Sequence, residues 1–158
     1  MMQIHLITVG KLKEKWLRDA YAEYEKRLQR YCRLTLTELP ESRLSESPAD
    51  AEIAAALTQE GKAILHACRG KIIALCIEGK LRSSEEFAQM LDSAAVSGDS
   101  TVSFVIGSSF GLSDEVKKAA DMRFSMSPMT FTHQIARVLL MEQLYRAFQI
   151  STGGKYHK

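Results

Sequence analysis

Five apolar runs of strand length, residues 4–9, 34–39, 72–77, 102–106 and 122–126, are each separated by a stretch of helical periodicity. Strands that alternate with amphipathic helices cannot pair as hairpins, because each helix carries the chain back over the sheet before the next strand begins. The order therefore predicts an α/β fold, a mainly parallel sheet flanked by helices. At 158 residues the chain matches one such unit, expected to span 1–158, with a core large enough to need no disulfide or metal.

The helices carry their own signals. Trp16, Ala20, Tyr24, Leu28 and Tyr31 recur at steps of three and four, which predicts one core-facing stripe on the first helix with its basic residues turned outward. Ser47-Pro48-Ala49-Asp50 reads as an N-cap with proline at the first helical position, ahead of a stripe of Ile53, Leu57, Ile64 and Leu65. Gly70 is expected to end that helix. Ser83 and Glu86 make a capping box before Phe87, Met90 and Leu91, closed by Gly98, and Ser113-Asp114-Glu115 caps a shorter helix. Residues 40–48 read as a surface loop. The last helix, about 132–150, is apolar nearly all round, with Ile135, Val138, Leu139, Leu140, Met141, Leu144, Tyr145, Ala147 and Phe148. One small core cannot bury every side of such a helix, so a second surface, a homodimer partner, is expected.

Charge is uneven. Residues 11–33 hold eight Lys and Arg against four acids, and from Thr132 onward Arg137, Arg146, Lys155 and Lys158 face only Glu142, while 38–60 is acidic. Two basic ends suit a phosphate-binding face, and ordinary solvated helix faces suit the same pattern equally well. Cys32, Cys68 and Cys76 are an odd set without C-x-x-C spacing, and His5, His66, His133 and His157 lack metal-ligand spacing, so no metal site and a reducing compartment are expected. The opening apolar run is too short for a signal or spanning segment, which points to the cytoplasm.

In parallel α/β sheets ligands bind beyond the carboxyl ends of the strands. Three such ends stand out: Leu75 leading to Glu78-Gly79-Lys80, then Gly107-Ser108-Ser109-Phe110-Gly111, then Met126-Ser127-Pro128-Met129-Thr130-Phe131. The glycines of the second permit close approach of a ligand to the backbone, and a tight strand-to-helix turn would use them as well. The third offers peptide groups and apolar side chains to a neutral base and no fixed charge to a phosphate, which suits an adenosyl group better than a triphosphate. Ser151-Thr152-Gly153-Gly154-Lys155 lacks the hydroxyl after the lysine and follows a helix instead of opening one, so it is no P-loop. Ser108 and Ser109 sit outside G-x-S-x-G. The tail Gly153-Gly154-Lys155-Tyr156-His157-Lys158 brings an aromatic, an imidazole and two lysines onto a mobile end, although a frayed terminus has the same composition.

Ile106-Gly107 with Gly111-Leu112-Ser113, Thr130-Phe131-Thr132-His133-Gln134, Arg137-Val138-Leu139, Glu142-Gln143-Leu144-Tyr145-Arg146-Ala147 and the closing Tyr156-His157-Lys158 together resemble the large-subunit ribosomal RNA pseudouridine N3-methyltransferase family, of the SPOUT class. The resemblance runs the whole length. It implies a C-terminal part threaded as a trefoil knot, S-adenosylmethionine bound in the knot, and a working homodimer. By position, it assigns the cofactor to Leu75, Gly107, Met126, Ser127, Pro128, Met129, Thr130 and Phe131. It also implies methyl transfer to N3 of a pseudouridine in 23S ribosomal RNA, on the assembled ribosome. Arg146 would orient the base or stabilise its anion, Tyr156 and His157 would handle the proton or position the base, and Lys155, Lys158 and the first helix would hold phosphates. One departure is Ser108, where the family's loop has a second glycine; serine tolerates positive φ less well. Three rivals stand beside this reading: a SPOUT enzyme for another nucleotide, an RNA-binding protein without cofactor, and a flavodoxin-like module, for which Thr8-Val9-Gly10-Lys11-Leu12 is a poor phosphate loop.

Overall fold

The computed structural model describes residues 1–158. In chain order the elements are β1 (Met2–Val9), α1 (Lys15–Leu28), β2 (Cys32–Leu39), α2 (Asp50–Ala67), β3 (Lys71–Leu81), α3 (Ser84–Val96), β4 (Thr101–Ile106), α4 (Asp114–Ala119), β5 (Met122–Ser125) and α5 (His133–Ser151). The five strands form one sheet in the order β2-β1-β4-β3-β5, and every pairing is parallel. The expected alternation is present.

Both faces of the sheet are buried, which is why its strands read as near-continuous apolar runs. Ile4, Leu6, Ile73, Phe104 and Phe124 pack under α1, α3 and α5, whereas Ile7, Val9, Ala74 and Val105 pack under α2 and α4 with Ile64 and Val116. The alternation within β1 shows the period of two directly. On α5, Leu140, Met141 and Leu144 are fully buried, and each burial contributes about 2 kcal/mol. Ile135, Val138, Tyr145, Phe148 and Ile150 are only partly buried against the same core.

Local details correct several expectations. The buried residues of α1 are Leu17, Tyr21 and Leu28, with Tyr24 packed against the core, so the expected stripe holds at Tyr24 and Leu28 but is one residue off at its start, where Trp16 is 59% exposed. Tyr31 lies beyond the helix end, where its ring stacks on Phe148. The shift follows from Leu12 and Leu17, which enter the core and turn Trp16 out of it. The N-cap of α2 is Ala49, so Pro48 precedes the cap instead of occupying the first helical position; the Glu52 carboxylate accepts from the Ala49 N–H. Its buried residues are Ala56, Glu60, Gly61 and Ile64, with Ile53 and Leu57 half-buried. Gly70 lies past the end of this helix in the turn to β3, where a side chain would strike the Thr101 backbone. Ser83, Ser113 and Thr132 cap their helices through their hydroxyls, and Gly98 follows α3 with φ +87°.

The third strand is longer than its apolar run. Leu75 and Lys80 both register against Phe124, so Cys76, Ile77, Glu78 and Gly79 bulge out within β3. The expected loop of Glu78, Gly79 and Lys80 is thus a bulge in a strand, with Gly79 pressed on β5 where a Cβ would come within 2.6 Å of the Phe124 backbone.

Candidate active site

Beyond the carboxyl ends of β3, β4 and β5 lies a cleft of ≈ 870 Å³. Of the residues expected to hold a cofactor, Leu75, Gly107, Met126, Ser127, Met129, Thr130 and Phe131 line it, while Pro128 is exposed and lies outside the lining. Because β3 runs between β4 and β5, its end forms the middle of the cleft floor, and the segment after β1 adds Glu14, Trp16 and Leu17 as a further wall. Those three escaped the sequence reading: the periodicity put Trp16 in the core, and no local signal marks the end of β1 as part of the site.

The loop after β4 closes on itself. Gly111, at φ +89°, donates its N–H to the Ser108 carbonyl at 2.9 Å, and a Cβ on Gly107 would press into the Gly111 carbonyl. Glycine at 107 is therefore required by close packing. Ser108 has a negative φ, since every positive φ in the chain belongs to glycine. It is buried, and its hydroxyl accepts from the Phe110 N–H at 3.4 Å. The departure at Ser108 thus costs no backbone strain, because the left-handed position of the turn falls at Gly111.

The loop after β5 is braced by its serines. The Ser125 hydroxyl donates to the Ser127 carbonyl at 3.0 Å, and the Ser127 hydroxyl accepts from the Met129 N–H at 3.0 Å. The ionisable side chains on the lining are few. Glu14 accepts from the Trp16 indole N–H, and Glu78 pairs with Lys117 at 2.5 Å. His133 is held below the usual imidazole range, first by burial, with Arg137 and Lys13 adding to this and Glu41 opposing it. No three His, Cys, Asp or Glu side chains converge anywhere in the chain.

Arg137, counted in the basic C-terminal stretch, belongs neither to a phosphate-binding face nor to a solvated helix face. It is 2% exposed. Its guanidinium donates to Glu38 at 2.7 Å, Thr8 Oγ1 at 2.9 Å and the Gly10 carbonyl at 2.9 Å. A desolvated arginine needs such partners, and these tie the first turns of α5 to the ends of β1 and β2. The Gln134 side chain reinforces the tie by accepting from the Lys13 N–H at 3.2 Å.

Arg146, Tyr156 and His157 do come together, because residues 152–158 fold back along α5. Arg146 donates to Glu142, one turn earlier, through Nε at 3.0 Å and Nη2 at 2.5 Å. Tyr156 donates its hydroxyl to the same carboxylate at 3.1 Å, and its ring lies 4.8 Å from the guanidinium. Arg146 Nη1 meets His157 Nδ1 at 3.0 Å, and His157 Nε2 meets Glu85 at 2.6 Å. Arginine only donates, so Nδ1 must accept and Nε2 must carry the proton that goes to Glu85. Both ring nitrogens are then occupied. Burial, with Tyr24 and Glu142 beside it, pushes the Tyr156 phenol well above its usual range, so it keeps its proton. Glu142 and Glu85 were missed as site residues; the i, i+4 spacing of Glu142 and Arg146 was a usable signal, whereas nothing local links Glu85 to the tail.

None of Glu142, Arg146, Tyr156 or His157 lines the cleft. The last α5 residue on the lining is Ala136, and Arg146 lies ten residues further on, roughly 15 Å along the axis at 1.5 Å per residue.

The fold is shared with a probable methyltransferase from Bordetella pertussis, whose solved structure superposes with a TM-score of 0.54 at 15% identity, over 91% of this chain and 95% of that one. The family model described as "Predicted SPOUT methyltransferase" matches residues 2–157. The chain belongs to the SPOUT methyltransferase family. Within it the chain groups with proteins named Ribosomal RNA large subunit methyltransferase H. That of Clostridium acetobutylicum is 47% identical over 99% of this chain and all of its own length, and that of Streptococcus mutans is 46% identical over the same shares.

Proposed function

We propose that the protein transfers the methyl group of S-adenosylmethionine to N3 of a pseudouridine in 23S ribosomal RNA on the assembled ribosome. Two full-length relatives at 46–47% identity carry names that specify the large-subunit ribosomal RNA. The observation that carries the reading is the cleft: an apolar wall of Leu75, Ile106, Phe124, Met126 and Phe131 beside a glycine that closes against backbone. Such a surface accepts an uncharged base by stacking and peptide contacts, and it offers no cluster of cations to a phosphate chain. The residues present fit an adenosyl group. S-adenosylmethionine, when bound, would supply an electrophilic methyl on its sulfonium sulfur.

The protein's own contribution is position and charge. The 126–131 loop and Gly107 fix the donor end, and Arg146 faces the target base, where a permanent cation stabilises the anion left when the N3 proton departs. Glu142 holds the guanidinium at a set angle, and Tyr156 covers it. As placed, Tyr156 remains a protonated, weakly basic phenol and both His157 ring nitrogens are engaged, so the N3 proton passes to solvent water and base positioning is their role. Lys155 and Lys158, with the exposed cations of α1, take phosphates.

The separation of roughly 15 Å between the end of the cleft and the arginine supports a homodimer in which the tail of one chain serves the cleft of its partner. The partly buried side of α5, with Tyr145 and Phe148, is the face to meet it. We read residues 1–158 as one domain, its C-terminal part knotted as family membership implies, acting in the cytoplasm with its ribosomal substrate. No helix is long and apolar enough to cross a membrane.

The test is calorimetric titration with S-adenosylmethionine, followed by methyl transfer to ribosomes lacking the modification. Saturable binding and methylation at N3 are expected; absence of heat and of thermal stabilisation would leave an RNA-binding protein without cofactor.

A further inference from the structure

The bulge in β3 has no counterpart in the other strands, and it carries a charged side chain into the cleft. Four residues, Cys76 to Gly79, are extruded while Leu75 and Lys80 stay in register with Phe124. Gly79 locks the bulge down, since its Cα lies so close to β5 that a Cβ would meet Phe124 and Arg123 backbone atoms at 2.6–2.8 Å. Glu78, on the crest, lines the cleft three residues beyond Leu75. Its carboxylate meets Lys117 Nζ, from the last turn of α4, at 2.5 Å. That contact, together with a backbone hydrogen bond, holds it below the usual carboxylate range, so it is an anion at neutral pH. Its side chain is half-exposed, which leaves room for a further donor.

We propose that Glu78 is the acceptor for the ribose hydroxyls of the adenosyl cofactor, with Lys117 as its positioning residue. The assignment rests on the cofactor reading above. Three observations lead to it. The only other carboxylate on the lining, Glu14, is engaged by the Trp16 indole. Three of the five residues of the base-accepting wall, Phe124, Met126 and Phe131, lie on β5 or in the loop after it, and β5 is the strand that pairs with β3 at the bulge, so the group attached to the base falls next to Glu78. A vicinal diol presents two O–H donors and no charge, and an ionised carboxylate is the acceptor that binds such a pair in a short, charge-assisted contact. Holding the carboxylate with Lys117 before the ligand arrives reduces the ordering cost of binding.

The experiment is a matrix of three proteins and four ligands, read by calorimetry. Wild type, Glu78→Ala and Lys117→Met are each titrated with S-adenosylhomocysteine, its 2′-deoxy and 3′-deoxy analogues, and 5′-methylthioadenosine. Wild type should bind each deoxy analogue about tenfold more weakly than the parent, as expected for a hydrogen bond to a charged acceptor. In Glu78→Ala the parent and 5′-methylthioadenosine should both weaken about tenfold or more, and the discrimination against the deoxy analogues should collapse toward one. Lys117→Met, which leaves the carboxylate in place, should weaken the parent less and preserve the discrimination. A bulge that had merely deformed would weaken all four ligands by one factor and keep the discrimination, which overturns the assignment. Weakening of S-adenosylhomocysteine with 5′-methylthioadenosine unaffected would overturn it too, placing Glu78 at the amino-acid end. Failure of wild type to bind any of the four would instead sink the cofactor reading and this assignment with it.

Discussion

The two ends of α5 do different work with different materials. At its start the cleft is built from backbone: Gly107 packed against Gly111, a serine-braced loop over 126–131, and a first turn anchored by a buried arginine. At its far end the cluster is built from long side chains, Arg146, Glu142, Tyr156, His157 and Glu85, in a chain of hydrogen bonds of 2.5–3.1 Å. Backbone sites tolerate little change in shape and little depends on their charge, whereas side-chain clusters can be dismantled one contact at a time. The two are separated by a rigid helix, so substitutions should divide cleanly into those that affect donor binding and those that affect transfer.

The largest effects lie at the extremes of that division. Arg146→Ala should lower methyl transfer by about a hundredfold to a thousandfold, the scale for removing a donor to a developing anion, with S-adenosylmethionine affinity unchanged by calorimetry. Equal activity would remove Arg146 from the reaction. Gly107→Ala should do the reverse at the binding step, weakening the cofactor by about a hundredfold, because several kcal/mol of overlap with the Gly111 carbonyl must be relieved by opening the loop. Mixing these two proteins, at an S-adenosylmethionine concentration that fills the wild-type cleft but not the Gly107→Ala cleft, sharpens the contrast. If each site joins one chain's cleft to its partner's tail, half of the reassorted dimers are mixed and each contains one intact site, so about a quarter of wild-type activity should return. No recovery after verified subunit exchange would place both halves of the site in one chain.

Smaller effects test what holds the two ends apart. Arg137→Met should destabilise the fold by about 3 kcal/mol in denaturant unfolding, near the lower limit for breaking a buried pair because Glu38 retains contact with water. It should also weaken cofactor binding through the first turn of α5. Tyr156→Phe removes the hydroxyl bonded to Glu142, and a loss of about 1 kcal/mol should show as a several-fold fall in kcat with cofactor affinity unchanged. Trp16→Ala should alter stability by less than about 0.5 kcal/mol, since an exposed side chain gains little from folding; a loss above 2 kcal/mol would return Trp16 to the core.

Much of this was legible because it is periodic or local. Apolar runs of four to eight residues mark strands buried on both faces, and hydroxyls at positions 83 and 113 mark helix starts, since unsatisfied N–H groups need an acceptor wherever a helix begins. The loops at 107–111 and 126–131 stood out because strand ends in a parallel sheet are where ligands bind. Arg137 was misread because the formal charge of an arginine carries no information about its burial, which depends on partners at positions 8, 10 and 38. Trp16 was misread by one helical position, since whichever neighbouring leucines reach the core set the rotation of a helix.

By itself, the sequence determined the parallel α/β class, the order of its elements, the loops that form the cleft and the motif that identifies the family. These follow from hydrogen-bonding and burial requirements that act over a few residues. Tertiary structure alone decided the bulge that lifts Glu78 into the cleft, the burial of Arg137, the seating of His157 between Arg146 and Glu85, and the distance from cleft to tail. Each depends on contacts between segments that lie far apart along the chain, and no pattern within a single segment records which of them the packed core will bring together.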